Sequence, residues 1–253
     1  MKTYIFILLS QLFSIALVAN NSSGLQAFKA ANKLYEEGKY QNASEQYNQL
    51  IDKGYISDDI HYNLANSYFK MNDIAPAILN YEKALKINPN NKDAANNLAL
   101  ANEKTVDKIE QVPELFFYRW IDSILNIMSL NAWSKLSVVL FFLAFICFAL
   151  YLFTTTLTLK KVGFYAFSIM LILGFTSWLM AAKQKHSLEA KNYAIVMNPT
   201  VNIVSSPSKG SSQLFVLHEG SKVKIKEETE DWFRVALPNG NEGWIDKVDV
   251  EVV

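Results

Sequence analysis

The sequence predicts a multidomain protein in three parts: an all-α solenoid of helical hairpins, a two-helix transmembrane hairpin, and a small all-β barrel. Three observations carry this. Alanine and tyrosine recur at a spacing of 34 residues, in Ala31/Ala65/Ala99, Ala43/Ala77 and Tyr47/Tyr81. Stretches of 24 and 21 residues carry no charge, between Lys135 and Lys160 and between Lys161 and Lys183. From Tyr193 onward the apolar residues alternate with period two, the period of a half-buried strand.

Composition narrows the function classes. The 253 residues hold 24 Lys and Arg against 24 Asp and Glu, a net charge of zero. Neutralising several phosphates needs a basic surplus, so nucleic acid is not an expected partner. One cysteine, Cys147, excludes an intramolecular disulfide and a cysteine-built zinc site.

The first apolar block, Tyr4 to Ala19 behind Lys2, reads as a secretory signal over residues 1–20. Ala19 suits the position before cleavage while Leu17 is bulkier than such sites prefer, so an uncleaved anchor stays open. As helices, the two central stretches reach roughly 30 Å, the hydrocarbon thickness of a bilayer. They predict transmembrane helices over 136–156 and 162–182, because a helix satisfies its own backbone in lipid. Trp133, Tyr151, Tyr165 and Trp178 lie toward the ends, where amphipathic rings favour the interface. A link over 154–161 returns the chain to its starting side, with Lys160 and Lys161 at a cytoplasmic turn and both flanks sent outward by the signal. Upstream, Phe117, Trp120, Ile121, Ile124, Leu125 and Met128 share one helical face. That pattern predicts an interfacial amphipathic helix over 113–131 or, as the alternative, a capping helix of the preceding domain.

Within 25–111 the small residues Ala31, Ala43, Ala65 and Ala77 let helices approach, Tyr47 and Tyr81 fill the space between hairpins, Gly38 turns the first hairpin and Pro89 stops the second. This pattern resembles the tetratricopeptide repeats. A third unit begins at Lys92 and fades after Asn102, giving two repeats and a capping helix. The resemblance implies a concave peptide groove walled by Phe28, Asn32, Tyr35, Tyr62, Asn66, Phe69 and Asn96. Tyr35, Tyr62 and Phe69 read equally as packing between helices. Asn32 and Asn63 match the family's carboxylate clamp, but Phe28, Asp93 and Asn97 stand at its basic positions. A neutral or mixed peptide is therefore expected.

Over 193–253, the pairs Val201/Ile203, Leu214/Val216, Val223/Ile225, Phe233/Val235 and Trp244/Ile245 are separated by turn residues, including Pro238-Asn239-Gly240. Five or six strands in this length suggest a barrel. The blocks Asp231-Trp232-Phe233-Arg234-Val235 and Gly243-Trp244-Ile245 resemble bacterial SH3 domains, although Ile203 or Val204 stands where that family commonly has an Arg. Tyr193, Trp232 and Trp244 form the candidate ligand surface, since flat aromatic surfaces pack proline or sugar rings. The competing reading puts the two Trp side chains in the core, and is favoured for Trp244. Lys222, Lys224 and Lys226 read as a solvated face that discourages edge pairing.

His61, His186 and His218 fall in separate regions, and no metal, phosphate-loop or nucleophile motif occurs. Neither an enzyme nor a cofactor or metal is expected. The full order of signal, repeats, aromatic stretch, two-span hairpin and SH3-like domain resembles the BatE-type aerotolerance family of the Bacteroidetes. That resemblance implies a bacterial inner-membrane protein with both soluble domains periplasmic, working with other Bat proteins and a MoxR-type ATPase. The expected role is a scaffold for protein–protein interaction. The alternative is a cell-envelope sensor or anchor that binds peptidoglycan through the SH3-like domain.

Overall fold

A computed structural model of the chain describes residues 23–108 and 124–253. The expected signal segment and the aromatic stretch up to residue 123 lie outside the described residues. The chain forms two compact units, one from the segments before residue 113 and after residue 190, the other from the segment between.

The first unit opens with five helices: α1 over 23–36, α2 (Tyr40–Asp52), α3 (Asp58–Lys70), α4 (Ile74–Ile87) and α5 (Lys92–Asn102). Ser57 caps α3 by accepting from the Ile60 N–H at 3.2 Å, and Asn91 caps α5 by accepting from Ala94 at 3.0 Å. Pro76 sits in the first turn of α4, where no intrahelical donor is required of it. Ala31, Ala43, Ala65 and Ala77 are fully buried at the contacts within the hairpins, and Tyr47 and Tyr81 are buried beside them. Helices α1–α2 and α3–α4 thus form two hairpins, and α5 packs against α4 after them.

The same unit closes with seven strands: β1 (Tyr193–Val196), β2 (Thr200–Val204), β3 (Gln213–His218), β4 (Lys222–Glu228), β5 (Trp232–Ala236), β6 (Glu242–Asp246) and β7 (Val250–Val252). They pair antiparallel in the order β3-β2-β6-β5-β4-β1-β7 around one core of Val201, Ile203, Leu217, Val223, Phe233, Val235 and Ile245 with Ala194 and Val196. A Cβ on Gly243 would stand 2.3 Å from Ile203 Cγ2, so only glycine lets β6 approach β2 this closely.

Three expectations for this domain change. In β3 the inward residues are Phe215 and Leu217, not Leu214 and Val216, because Val201 pairs with Leu217 and Ile203 with Phe215. Lys222, Lys224 and Lys226 do not guard an edge, since β4 lies between β5 and β1. Trp244 is half-buried outside the core, because Ile245 takes the inward position of β6.

The second unit pairs α6 (Leu130–Phe153) with α7 (Leu157–Glu189). Both are long and apolar enough to cross a membrane, a property compatible with membrane insertion. Their buried residues are small or polar, with Ser137 and Ala144 on α6 and Gly163, Gly174, Ser177, Ala181 and Gln184 on α7. Large side chains such as Phe142, Phe145, Ile172 and Phe175 face outward. Ser177 Oγ donates to the Trp133 carbonyl at 3.0 Å, tying one helix to the other. Helix α7 runs beyond its expected span at both ends, whereas α6 begins earlier than expected, at Leu130, and ends short of the expected 156, at Phe153. The helix expected over 113–131 does not reach its expected end: the chain turns at Asn126–Ile127, and Ser129 caps α6. Lys160 and Lys161 lie in the first turns of α7, and the link between the helices shortens to Thr154–Thr156.

Candidate functional site

The seven candidate groove residues all lie on the first helix of a hairpin or on its equivalent: Phe28, Asn32 and Tyr35 on α1, Tyr62, Asn66 and Phe69 on α3, and Asn96 on α5. Spacings of four and three residues make each set one helical stripe. Asn96 is exposed and the other six are half-buried. Phe28 packs on Tyr47 with ring centroids 6.1 Å apart, and Tyr62 packs on Tyr81 at 6.2 Å, the same contact one repeat later. Tyr35 meets the edge of Tyr40 at 5.2 Å. These rings therefore serve the packing between helices while keeping an open face.

The carboxamides have a more specific role than wall lining. The Tyr47 hydroxyl donates to Asn32 Oδ1 at 2.6 Å, and Asn63 Nδ2 donates to the same oxygen at 3.2 Å. Thirty-four residues on, the Tyr81 hydroxyl donates to Asn66 Oδ1 at 2.6 Å and Asn97 Nδ2 donates to it at 2.9 Å. Each Asn oxygen thus joins the second helix of its own hairpin to the first helix of the next unit. Burial of Tyr47 and Tyr81 raises both phenol pKa values above the usual range, so these hydroxyls stay protonated donors. Asn63 and Asn97, considered in the sequence only as clamp positions, are rungs of this ladder. Their 34-residue spacing was visible, but not the shared acceptor.

Two residues at the α5 end were missed. Leu100, half exposed, occupies the repeat position of Asn32 and Asn66. Lys104 Nζ stands 4.5 Å over the Phe69 ring and donates to Asn72 Oδ1 at 3.2 Å, adding a cation at the end of a groove whose expected basic positions are not basic.

On the β domain, Trp232 and Trp244 lie on adjacent strands and point away from the core. Trp244 pairs across from Arg234 and Trp232 from Asp246, which sets the two indoles diagonally. Arg234 between them donates to Glu227 Oε1 at 2.7 Å and to Glu242 Oε2 at 3.0 Å, leaving an aromatic face with little net charge. Tyr193 does not join them. It lies on β1, with Lys222 Nζ 4.6 Å over its ring.

His61 is buried, with Nδ1 2.9 Å from Asn80 Oδ1. Because Asn80 Nδ2 already donates to the Pro76 carbonyl, Asn80 Oδ1 is the acceptor and His61 Nδ1 carries the proton. Burial pushes the His61 pKa down. Among the described residues no three His, Cys, Asp or Glu side chains are grouped to hold a metal ion.

Comparison with known families matches residues 59–91 to the tetratricopeptide repeat and residues 199–251 to the bacterial SH3 domain. The chain contains both domain types. Among solved structures, an NlpC/P60 family protein from Bacillus cereus ATCC 10987 is 24% identical over 28% of this chain and 23% of its own length, with a TM-score of 0.21. Comparison with curated proteins gives no match.

Proposed function

We propose that this chain is a non-enzymatic inner-membrane scaffold of the BatE type, which holds a protein partner along the concave face of its repeats and works beside other Bat proteins and a MoxR-type ATPase in the periplasm. The observation that carries the partner-binding reading is the row of stripes on α1, α3 and α5, whose backs are fixed by the Tyr–Asn–Asn ladder while Asn96 and Leu100 stay exposed. A groove built beforehand loses less ordering entropy when a peptide binds. The outward-facing apolar side chains of α6 and α7 support the membrane anchor. The order of domains supports the BatE assignment.

The test is co-purification of a Bat protein bearing a von Willebrand A domain with the full chain after mild detergent extraction. Asn96→Arg with Leu100→Glu blocks the groove at exposed positions and is expected to lose that partner. Undiminished recovery removes the groove from the proposal.

A second reading rests on the diagonal Trp232/Trp244 pair lying outside the barrel core. Such a face suits a sugar ring, and the chain would then act as a peptidoglycan anchor. Sedimentation of the detergent-solubilised full chain with purified sacculi, with and without Trp232→Ala and Trp244→Ala, decides it. Equal sedimentation of all the proteins sinks this reading.

A further inference from the structure

Strand β1 alternates in an unusual way. Ala194 and Val196 enter the barrel core, so Ile195 must point out of the barrel, yet Ile195 is fully buried. It joins the core of the repeats, against a cluster that includes Ile78, Leu79, Tyr81 and Ala84, with Met197 and Val253 beside it. Around this apolar contact Lys222 Nζ donates to Glu82 Oε2 at 2.7 Å, Lys83 to Glu251 at 2.8 Å and Lys86 to the Val253 carbonyl at 2.7 Å. Ile78, Glu82, Lys83 and Lys86 share one face of α4.

The segment after α5 closes on the same place. The Asp107 carboxylate accepts from the His218 N–H at 2.7 Å, from His218 Nδ1 at 2.9 Å and from Ser221 Oγ. Burial alone would raise the Asp107 pKa, but these hydrogen bonds outweigh it and hold the group below the usual carboxylate range. Gly220, between the two partners, has φ of +83°, and a Cβ there would lie 2.7 Å from Thr105 Cγ2 and 3.0 Å from Ile78 Cδ1. The β3–β4 turn therefore meets the repeats at backbone distance.

The repeat register identifies what this contact replaces. A shift of 34 residues carries Ile78 and Glu82 of α4 back to Ser44 and Asn48 of α2. On α2 that face meets the following repeat, where Asn48 Nδ2 donates to the Tyr68 hydroxyl at 3.0 Å. On α4 the next unit supplies only α5, and the rest of the corresponding face meets β1 and the β3–β4 turn, with the small polar Ser44 exchanged for Ile78. A solenoid needs a terminal element to cover the face left by its last repeat.

We propose that the SH3 domain is the end cap of the repeat stack, docked through Ile195 and pinned by Asp107, so that the two domains form one module. The dock has a topological consequence. The intervening unit, residues 113–190, is joined to this module at both of its ends, so a hairpin in it that spans a bilayer must cross the bilayer an even number of times.

Thiol protection in the full-length protein tests the dock. In a Cys147→Ser background, Ile195→Cys places a thiol in the contact without touching the barrel core, Val235→Cys reports opening of the barrel itself, and Ser208→Cys reports an exposed site. Ile195→Cys is expected to react much more slowly than Ser208→Cys. Asp107→Asn, which keeps the shape and removes the charge, is expected to speed its reaction roughly tenfold, the effect of losing charge-assisted hydrogen bonds. Val235→Cys should stay protected. An Ile195→Cys as reactive as the exposed site, or one indifferent to Asp107→Asn, overturns the proposal. So does equal acceleration of Val235→Cys, because Asp107 would then act on the barrel's own stability.

Discussion

The Tyr81–Asn66–Asn97 rung permits a prediction in which two substitutions do not add. Tyr81→Phe keeps the buried ring and removes the hydroxyl, and Asn66 Oδ1 keeps its second donor, Asn97 Nδ2 at 2.9 Å. The expected loss is that of one hydrogen bond, about 1 kcal/mol. Asn66→Ala removes the acceptor and strands the Tyr81 hydroxyl, on a residue with 0% exposure, without its partner. The expected loss rises to about 2–3 kcal/mol, the larger part being desolvation of the orphaned hydroxyl. The double variant lacks that orphan, so its loss should fall below the sum of the singles by about 1 kcal/mol. Hydrogen exchange by mass spectrometry of the full chain, on peptides from α3 and α4, reads these openings directly. Exchange should speed up by roughly fivefold for Tyr81→Phe and by roughly 30- to 150-fold for Asn66→Ala, at about 1.4 kcal/mol per tenfold. Additive single and double variants, or an Asn66→Ala no worse than Tyr81→Phe, would refute the ladder as the element that joins successive repeats.

Burial holds His61 neutral below its ordinary pKa, while the unfolded chain protonates it near pH 6.5. The unfolded state therefore binds more protons as pH falls below that value, and the repeats should lose stability from about pH 6.5 downward, by at most about 1.4 kcal/mol per unit. Partial desolvation raises the pKa values of Asp59 and Asp73, which act with the opposite sign in the carboxylate range, so the measurement is the difference between the parent and His61→Gln in exchange rates from pH 7 to 5. A difference that does not vary with pH counts against this account. For topology, in the Cys147→Ser background, Ile56→Cys and Ser208→Cys should react together with an impermeant maleimide on intact cells, and Thr158→Cys only after lysis. Reaction of just one of the two domain sites would exclude both the even number of crossings and the docked module.

The sequence by itself determined the parts. The period of 34 marked the helical hairpins because each one buries the same small and aromatic positions, and alternation with Gly243-Trp244-Ile245 marked the β domain because inward and outward residues alternate along strands. The uncharged stretches marked α6 and α7, since their length and polarity are properties of one segment at a time. Tertiary structure decided how the parts are used. The phase of β3 and the outward position of Trp244 depend on which strand pairs with which, and no single strand records its partner's register. Asn32 and Asn66 read as groove walls until Tyr47, Asn63, Tyr81 and Asn97 were seen to converge on their oxygens. Ile195, Asp107, His218 and Ser221 gave no sequence signal at all, because they meet across 111 residues and more, between Asp107 and His218 for example. Local pattern reports which face of an element is apolar; what covers that face is fixed only when distant segments exclude water from it together.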